Sequence, residues 1–344
     1  MPIEHRPLGR TGVQVSPLCL GAMMFGAWGE PDHDASVRVI HAALDAGLNF
    51  VDTADVYSAG ESEEIVGKAL KGGRRDDVVL ATKFHAPMGE DPNMRGNSRR
   101  WIVREVERSL RRLQTDWIDL YQVHRYDPGT DLEETLGALD DLVGQGKVRY
   151  VGSSTFPAST IVEAQWVSRE RGLQRYVSEQ PPYSMLVRGI EADVLPTAQR
   201  YGMAVIPWSP LSGGWLTGRY RKGADIAEPT SAARRRLADR YDLTLPANQA
   251  KLEAADALGQ LAEEAGIPLV QLAIAWVARH PAITAPIIGP RTMEQLEGQL
   301  PAADLVLEEA LLDRIDEIVP PGVNINPADG GWQNPALEAS ARRR

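Results

Sequence analysis

The sequence predicts an α/β protein built as one (β/α)8 TIM barrel over residues 1–320, followed by a tail at 321–344. Three observations carry that reading. Short apolar runs alternate with longer amphipathic ones, which is the βαβα rhythm of a mostly parallel sheet. Eight such short runs can be counted. The 344 residues also exceed the roughly 250 usual for this barrel, leaving room for an N-terminal β-hairpin, a long loop after strand seven and a C-terminal helix.

Taken in order, PLGRTGVQVSPL reads as the hairpin, with its first strand around residues 6–8 and a turn near Gly12. The barrel strands are expected at 16–21, 49–54, 77–84, 117–124, 148–155, 176–181, 203–209 and 285–289. Between the first two, DASVRVIHAALDAG places Val37, Ile40 and Leu44 on one stripe and stops at Gly47, a residue that tolerates the left-handed position after a helix. Further helices are expected at 61–71, 98–114, 158–172, 190–201 and 249–280, the last broken by Pro268. Thr130 with Glu133, and Thr292 with Gln295, have capping-box spacing, and Pro157 suits the first turn of a helix. Residues 215–248 form a long connection able to act as a lid, and 307–318 a terminal helix. The Gly/Pro/Asn-rich tail, ending in Arg342, Arg343 and Arg344, is expected to be loosely held apart from Trp332.

Composition narrows the function. With 37 Lys+Arg against 47 Asp+Glu the formal charge is −10, which argues against a general nucleic-acid or membrane-surface binder. Cys19 is the single cysteine, so neither an internal disulfide nor a multi-cysteine zinc site can form. No leader-like apolar segment opens the chain, and no run approaches the roughly 18 apolar residues of a membrane span; a cytoplasmic protein is expected. A doubly wound dinucleotide-binding domain would need G-x-G-x-x-G, and its nearest approximation, Gly144 and Gly146, has Arg149 where the third glycine belongs. A phosphate loop, H-E-x-x-H and G-x-S-x-G are also missing.

Active sites of such barrels lie at the C-terminal ends of the strands. Asp52 ends the second strand, Lys83 stands near the end of the third, and His124 ends the fourth; Tyr57 follows in the loop DTADVYSAG. Taken singly, Asp52 reads equally well as a turn cap, His124 as a core histidine and Tyr57 as a surface aromatic. Lys83 is harder to dismiss. It sits in a run expected to be buried on both faces and so needs a carboxylate partner or an escape to water; Asp52, one strand over, is the obvious partner. Together the four suit proton donation. A tyrosine of pKa about 10 becomes a better acid beside an ammonium, each unit of lowering requiring about 1.4 kcal/mol, while an imidazole can orient a carbonyl.

DTADVY, ATKF and QVH, in that order on consecutive strands, resemble the Asp, Tyr, Lys and His tetrad of the aldo-keto reductase superfamily, over a stretch from about Leu8 to about Gln299. The resemblance implies Tyr57 as general acid, Lys83 and Asp52 as its tuning pair, and His124 as orienter of the carbonyl. It further implies NADP(H) bound in extended form without Rossmann glycines. Ser154 and Thr155 of VGSSTF, with Gln180, would hold the nicotinamide amide; Thr155 departs from the usual asparagine. Trp208 would stack on the nicotinamide, although core packing explains it as well, and Ser209, Leu211, Gly213 and Gly218 would line the pyrophosphate channel. Gly289 and Arg291 would meet the 2′-phosphate, with Gln295 near the adenine and Gln299 where the family often has asparagine. Independently, Arg291 stands at a helix start after the eighth strand, a common phosphate position in barrels.

The function so implied is NADPH-dependent reduction of a small-molecule aldehyde or ketone, with no nucleic-acid or membrane partner and a homo-oligomer left open. GNSRRWI at 96–102 is similar to voltage-gated potassium-channel β-subunits, which makes a cofactor-binding regulatory module the alternative. A metal-dependent hydrolase using Asp52, His124 and His85 is a third reading. Phe25, Trp28, Phe84, Trp215 and Trp332 are candidates for an apolar substrate pocket or for packing.

Overall fold

The computed structural model describes residues 4–224 and 238–343; the middle of the expected long loop, 225–237, and Arg344 lie outside the described residues. Each expected barrel run contains an observed strand: Cys19–Gly21, Phe50–Asp52, Val79–Phe84, Ile118–Val123, Val148–Ser153, Ser178–Glu179, Ala204–Val205 and Ile287–Ile288. The first seven pair in parallel in chain order, and the eighth pairs in parallel with the first. The seventh and eighth close the ring through Thr284 N–H to Val205 O at 2.9 Å and Ile287 N–H to Pro207 O at 2.8 Å. Gly21 permits the tight approach of first and eighth strands, since a Cβ there would lie 2.5 Å from the Ile287 side chain.

Strand periodicity decides what fills the ring. Cys19, Phe50, Ala81, Leu120, Ala204, Ile206 and Ala285 form one buried apolar cluster, distinct from the larger one between sheet and helices. Leu8 and Val15 join it from the hairpin, in which Arg6–Pro7 pairs antiparallel with Gln14–Val15. The hairpin therefore stoppers one end of the barrel. Gly9, at φ +58°, lies so close to Gly202 and Ala204 that a side chain would collide with their backbone. Two residues further along three of these strands, the inward positions switch from Phe50, Ala81 and Leu120 to Asp52, Lys83 and Gln122. The apolar plug is thus overlaid by a polar layer at the C-terminal strand ends.

The helices follow the expected pattern with local corrections. His33–Asp45 ends before Gly47 at φ +98°, as the glycine requires. The helix Leu132–Gly144 is capped by Asp131, whose carboxylate accepts from Glu133 N–H, and not by Thr130, whose hydroxyl donates to Asp127. Thr292 caps Met293–Gln299 as expected, but the Gln295 side chain reaches back to Arg291 N–H. Pro157 is a cap residue one position before its helix. Pro268 divides the long apolar pattern into Pro246–Glu264 and Leu269–Arg279, bent by 97°. No single helix among the described residues is long and apolar enough to cross a membrane.

The tail departs most from expectation. From Val323 to Gly331 it is fastened to the barrel, with Arg188 N–H bonded to Val323 O and Ile325 N–H to Leu186 O. The Asn326 amide meets Asn248 at 2.8 Å, and Asp329 accepts from Lys251 Nζ at 2.7 Å, both residues of that ion pair being buried. Arg240 stands 3.5 Å from the same carboxylate. Composition suggested slackness because glycine and asparagine favour turns, yet here the asparagine side chains supply the fastening. Asp329→Ala is expected to lower the unfolding free energy by about 3 kcal/mol, by stranding Lys251, and Lys251→Met in the same chain to recover part of that loss. Urea denaturation of the single and double variants measures both.

Candidate active site

The polar layer centres on Lys83, whose side chain has no exposure. Its Nζ donates to Asp52 Oδ1 at 2.5 Å, to Thr53 O at 2.8 Å and to Tyr57 Oη at 3.3 Å, which exhausts an ammonium's three donors. The other Asp52 oxygen accepts from Gln122 at 3.1 Å and Gln180 at 2.8 Å. These bonds explain how a charged pair is tolerated in a barrel interior. Burial works to neutralise the lysine, but Asp52 and Tyr57 outweigh it and hold the Lys83 pKa above the ordinary value.

Tyr57 reaches this pair from an unusual turn. Ser58 at φ +49° and Ala59 at φ +59° precede Gly60 at φ +100°, three left-handed residues in succession. Non-glycine residues in that region are strained, and something must hold them. On one side the Ser58 hydroxyl accepts from Trp28 N–H at 3.1 Å. On the other, Gly60 rests on Arg112, which bridges buried Glu63 at 2.6 Å and Glu105 at 2.5 Å. Burial pushes the neighbouring Asp55 carboxyl well above the carboxylate range, with Glu63 and Glu105 adding to the effect.

The phenol itself corrects an expectation. Burial raises the Tyr57 pKa above its usual value, and Lys83 opposes that rise without reversing it. The result is a phenol firmly protonated at neutral pH. His124 lies edge-on to it, ring centroids 5.8 Å apart, and burial with the charges of Arg125 and Lys83 depresses its pKa well below normal. It is therefore a neutral imidazole with one N–H to donate.

The adjoining rim is equally specific. Ser154 Oγ donates to Gln180 O at 2.9 Å. Thr155 has φ +58°, exceptional for a β-branched residue, and its hydroxyl accepts from Trp208 Nε1 and from Arg125, each at 3.3 Å. An asparagine would occupy that backbone region more easily, so the departure seen in the sequence carries a conformational cost. Glu179 holds the turn from beneath, accepting from Ser153 Oγ at 2.5 Å and Phe156 N–H at 3.1 Å. Its complete burial pushes its pKa up to about 7.

Other expected residues divide by burial. Trp28 and Trp208 are half-buried beside Tyr57 and Thr155, and Trp28 stands 6.0 Å from the Tyr57 ring. Trp332 is half-buried in the tail, where Gly331 presses on Trp208 and Thr155. Phe25, Phe84 and Trp215 are fully buried and belong to the core: Phe84 packs on Tyr121, and Trp215 stacks on Tyr220 with Lys251 over its ring. Ser209 at φ +58°, Leu211 and Gly213 follow Trp208 in one half-buried turn, and Gly218 is exposed. Gly289, Arg291 and Gln295 lie together after the eighth strand, and Gln299 is buried with its side-chain oxygen unbonded. His85 turns to Asn97 at 2.9 Å, and the described residues hold no group of three or more His, Cys, Asp or Glu side chains able to bind a metal. Gln122, Glu179 and Arg125 escaped the sequence reading; all three are polar residues at strand ends, which was the available signal.

The strand ends of a (β/α)8 barrel thus hold a buried lysine–carboxylate pair against a phenol, an arrangement that suits an oxidoreductase. The Aldo/keto reductase family model matches residues 17–320, and the chain belongs to that family. It is 41% identical over 341 residues to YrpG, an uncharacterized oxidoreductase of Bacillus subtilis, covering 96% of this chain and 100% of that one. It is also 36% identical to a probable voltage-gated potassium channel subunit beta of Oryza sativa, across 92% of this chain and 97% of the other. Norsolorinic acid reductase of Aspergillus flavus is 34% identical, across 92% and 81%.

Glu179 supplies a pH test. Its folded pKa of about 7 exceeds the ordinary 4.5, so the native state binds the proton more tightly and stability falls as pH rises from 4.5 through 7. The loss is on the order of 3 kcal/mol. Glu179→Gln is expected to lack this slope, as chemical denaturation at pH 5 and pH 8 would show.

Proposed function

We propose that this oxidoreductase reduces aldehydes or ketones to alcohols using NADPH, with Tyr57 as proton donor. The observation that carries the reading is the contact chain from Asp52 through the Lys83 ammonium to the Tyr57 oxygen, at 2.5 and 3.3 Å. A protonated phenol is the correct donor at neutral pH, and the adjacent ammonium stabilises the phenolate it leaves behind. Asp52 keeps that ammonium charged and in place, while Gln122 and Gln180 fix the carboxylate. His124, neutral, donates its N–H to the carbonyl oxygen and so aligns it with the phenol.

The residues around the rim suit a dinucleotide. Ser154 and Gln180 offer the amide partners, half-buried Trp208 offers a ring face, and Arg291 offers a guanidinium for phosphate. The unbonded, buried oxygen of Gln299 is the acceptor an exocyclic amine of adenine requires. When bound, the reduced dinucleotide supplies the hydride. Thr155 provides the hydroxyl where the family has an amide, already engaged by Trp208 and Arg125.

Tyr57→Phe is expected to lower kcat for simple aldehydes by about 10²–10⁴ while leaving NADPH fluorescence quenching intact; full activity in that variant would remove the phenol from the reaction. Arg291→Ala is expected to narrow the NADPH/NADH preference about tenfold or more through loss of the phosphate contact, read from Kd values for the two dinucleotides. The resemblance to channel β-subunits supports a regulatory alternative. Repeated turnover under excess aldehyde favours the enzyme, and a single slow oxidation the regulator.

A further inference from the structure

Arg125 follows His124 at the end of the fourth strand and is half-buried on the same rim. Its Nη1 donates to His124 O at 2.6 Å and to Thr155 Oγ1 at 3.3 Å, and its guanidinium carbon lies 5.9 Å from the Trp208 ring centre. Both acceptors are uncharged. Among the described residues no carboxylate forms an ion pair with it, whereas nearly every other deeply placed arginine has one: Arg112 with Glu63 and Glu105, Arg188 with Glu191 and Asp316. Glu179 is near enough to influence Arg125 but directs its oxygens to Ser153 and Phe156. Arg240, itself beside Asp329, is near enough to add a second positive charge.

A half-buried guanidinium with no carboxylate beside it leaves donors for a ligand, and its planar fork matches an oxyanion with two oxygens. The surroundings identify the anion's source. Arg125 touches Thr155 and Trp208, assigned above to the nicotinamide end, while the phosphate contacts were assigned to Arg291 after the eighth strand. Tyr57 and Arg125 are near enough to feel each other's charge, and His124 is adjacent to both. We propose that Arg125 is a specificity-determining residue that receives a carboxylate carried by the carbonyl substrate, making acidic aldehydes or keto acids the preferred class. The inference rests on the reductase reading and adds the substrate's charge to it.

The test compares benzaldehyde with its 3- and 4-carboxy derivatives in wild type, Arg125→Met and Arg125→Lys, at saturating NADPH. The wild type is expected to favour at least one carboxylated aldehyde tenfold or more in kcat/KM, mainly through KM. Arg125→Met should erase that advantage, lowering the carboxylated substrate at least tenfold more than benzaldehyde, and Arg125→Lys should restore part of it. Equal loss for both substrates in Arg125→Met, or no wild-type preference, would overturn the proposal and leave Arg125 as a brace for Thr155 and His124. If no aldehyde is reduced the reductase reading fails by itself. Calorimetric titration with benzoate then decides the inference: binding that weakens tenfold in Arg125→Met supports the anion subsite, and equal binding overturns it.

Discussion

A lysine ammonium with no access to water must be satisfied from within, and at Lys83 this requirement organises everything around it. Asp52 balances its charge, the Thr53 carbonyl accepts its second hydrogen bond, and Tyr57 is left as its third partner. Each is needed because an unpartnered charge at that depth would cost several kcal/mol. The need to satisfy Lys83 therefore draws the phenol to one place on the rim. Gln122 and Gln180 extend the same logic to the far oxygen of Asp52.

The strained turns follow from that constraint. Tyr57 leads directly into the left-handed run Ser58, Ala59 and Gly60, which is held between the Trp28 amide and the Arg112 clamp. Thr155 shows the same pattern across the rim, held from beneath by the Glu179 carboxyl group and from above by Trp208 and Arg125. Strain placed next to a reacting centre and paid for by buried polar groups is a recurring feature of functional sites. The tail contributes from outside, through Gly331 pressed against Trp208 and Thr155 and the Lys251–Asp329 pair that anchors it.

Much of this was legible in the chain. Strands announce themselves because parallel strands buried on both faces are short apolar runs, and all eight fall within the expected windows. The Asp52–Lys83 pairing was legible for the same reason, since a lysine in such a run needs an acid. What was not legible depends on direction. Phe25, Phe84 and Trp215 occupy plausible loop or strand-end positions yet turn into the core, because which way a terminal side chain points is set by packing and not by spacing. The net effect on the Tyr57 pKa was also beyond reach, being a contest between burial and one ammonium whose outcome depends on depth. The tail's asparagines read as turn formers and act as hydrogen-bonding anchors.

The account stands on Lys83 remaining an ammonium while enclosed. Nitrogen NMR of selectively labelled lysine, followed from pH 6 to 11, reads this directly. The Lys83 resonance is predicted to keep its ammonium shift past pH 10, with a coupling to the Asp52 carboxylate that vanishes in Asp52→Asn. A neutral amine at pH 7 would contradict it, for the phenolate left after proton donation would then have no positive charge beside it.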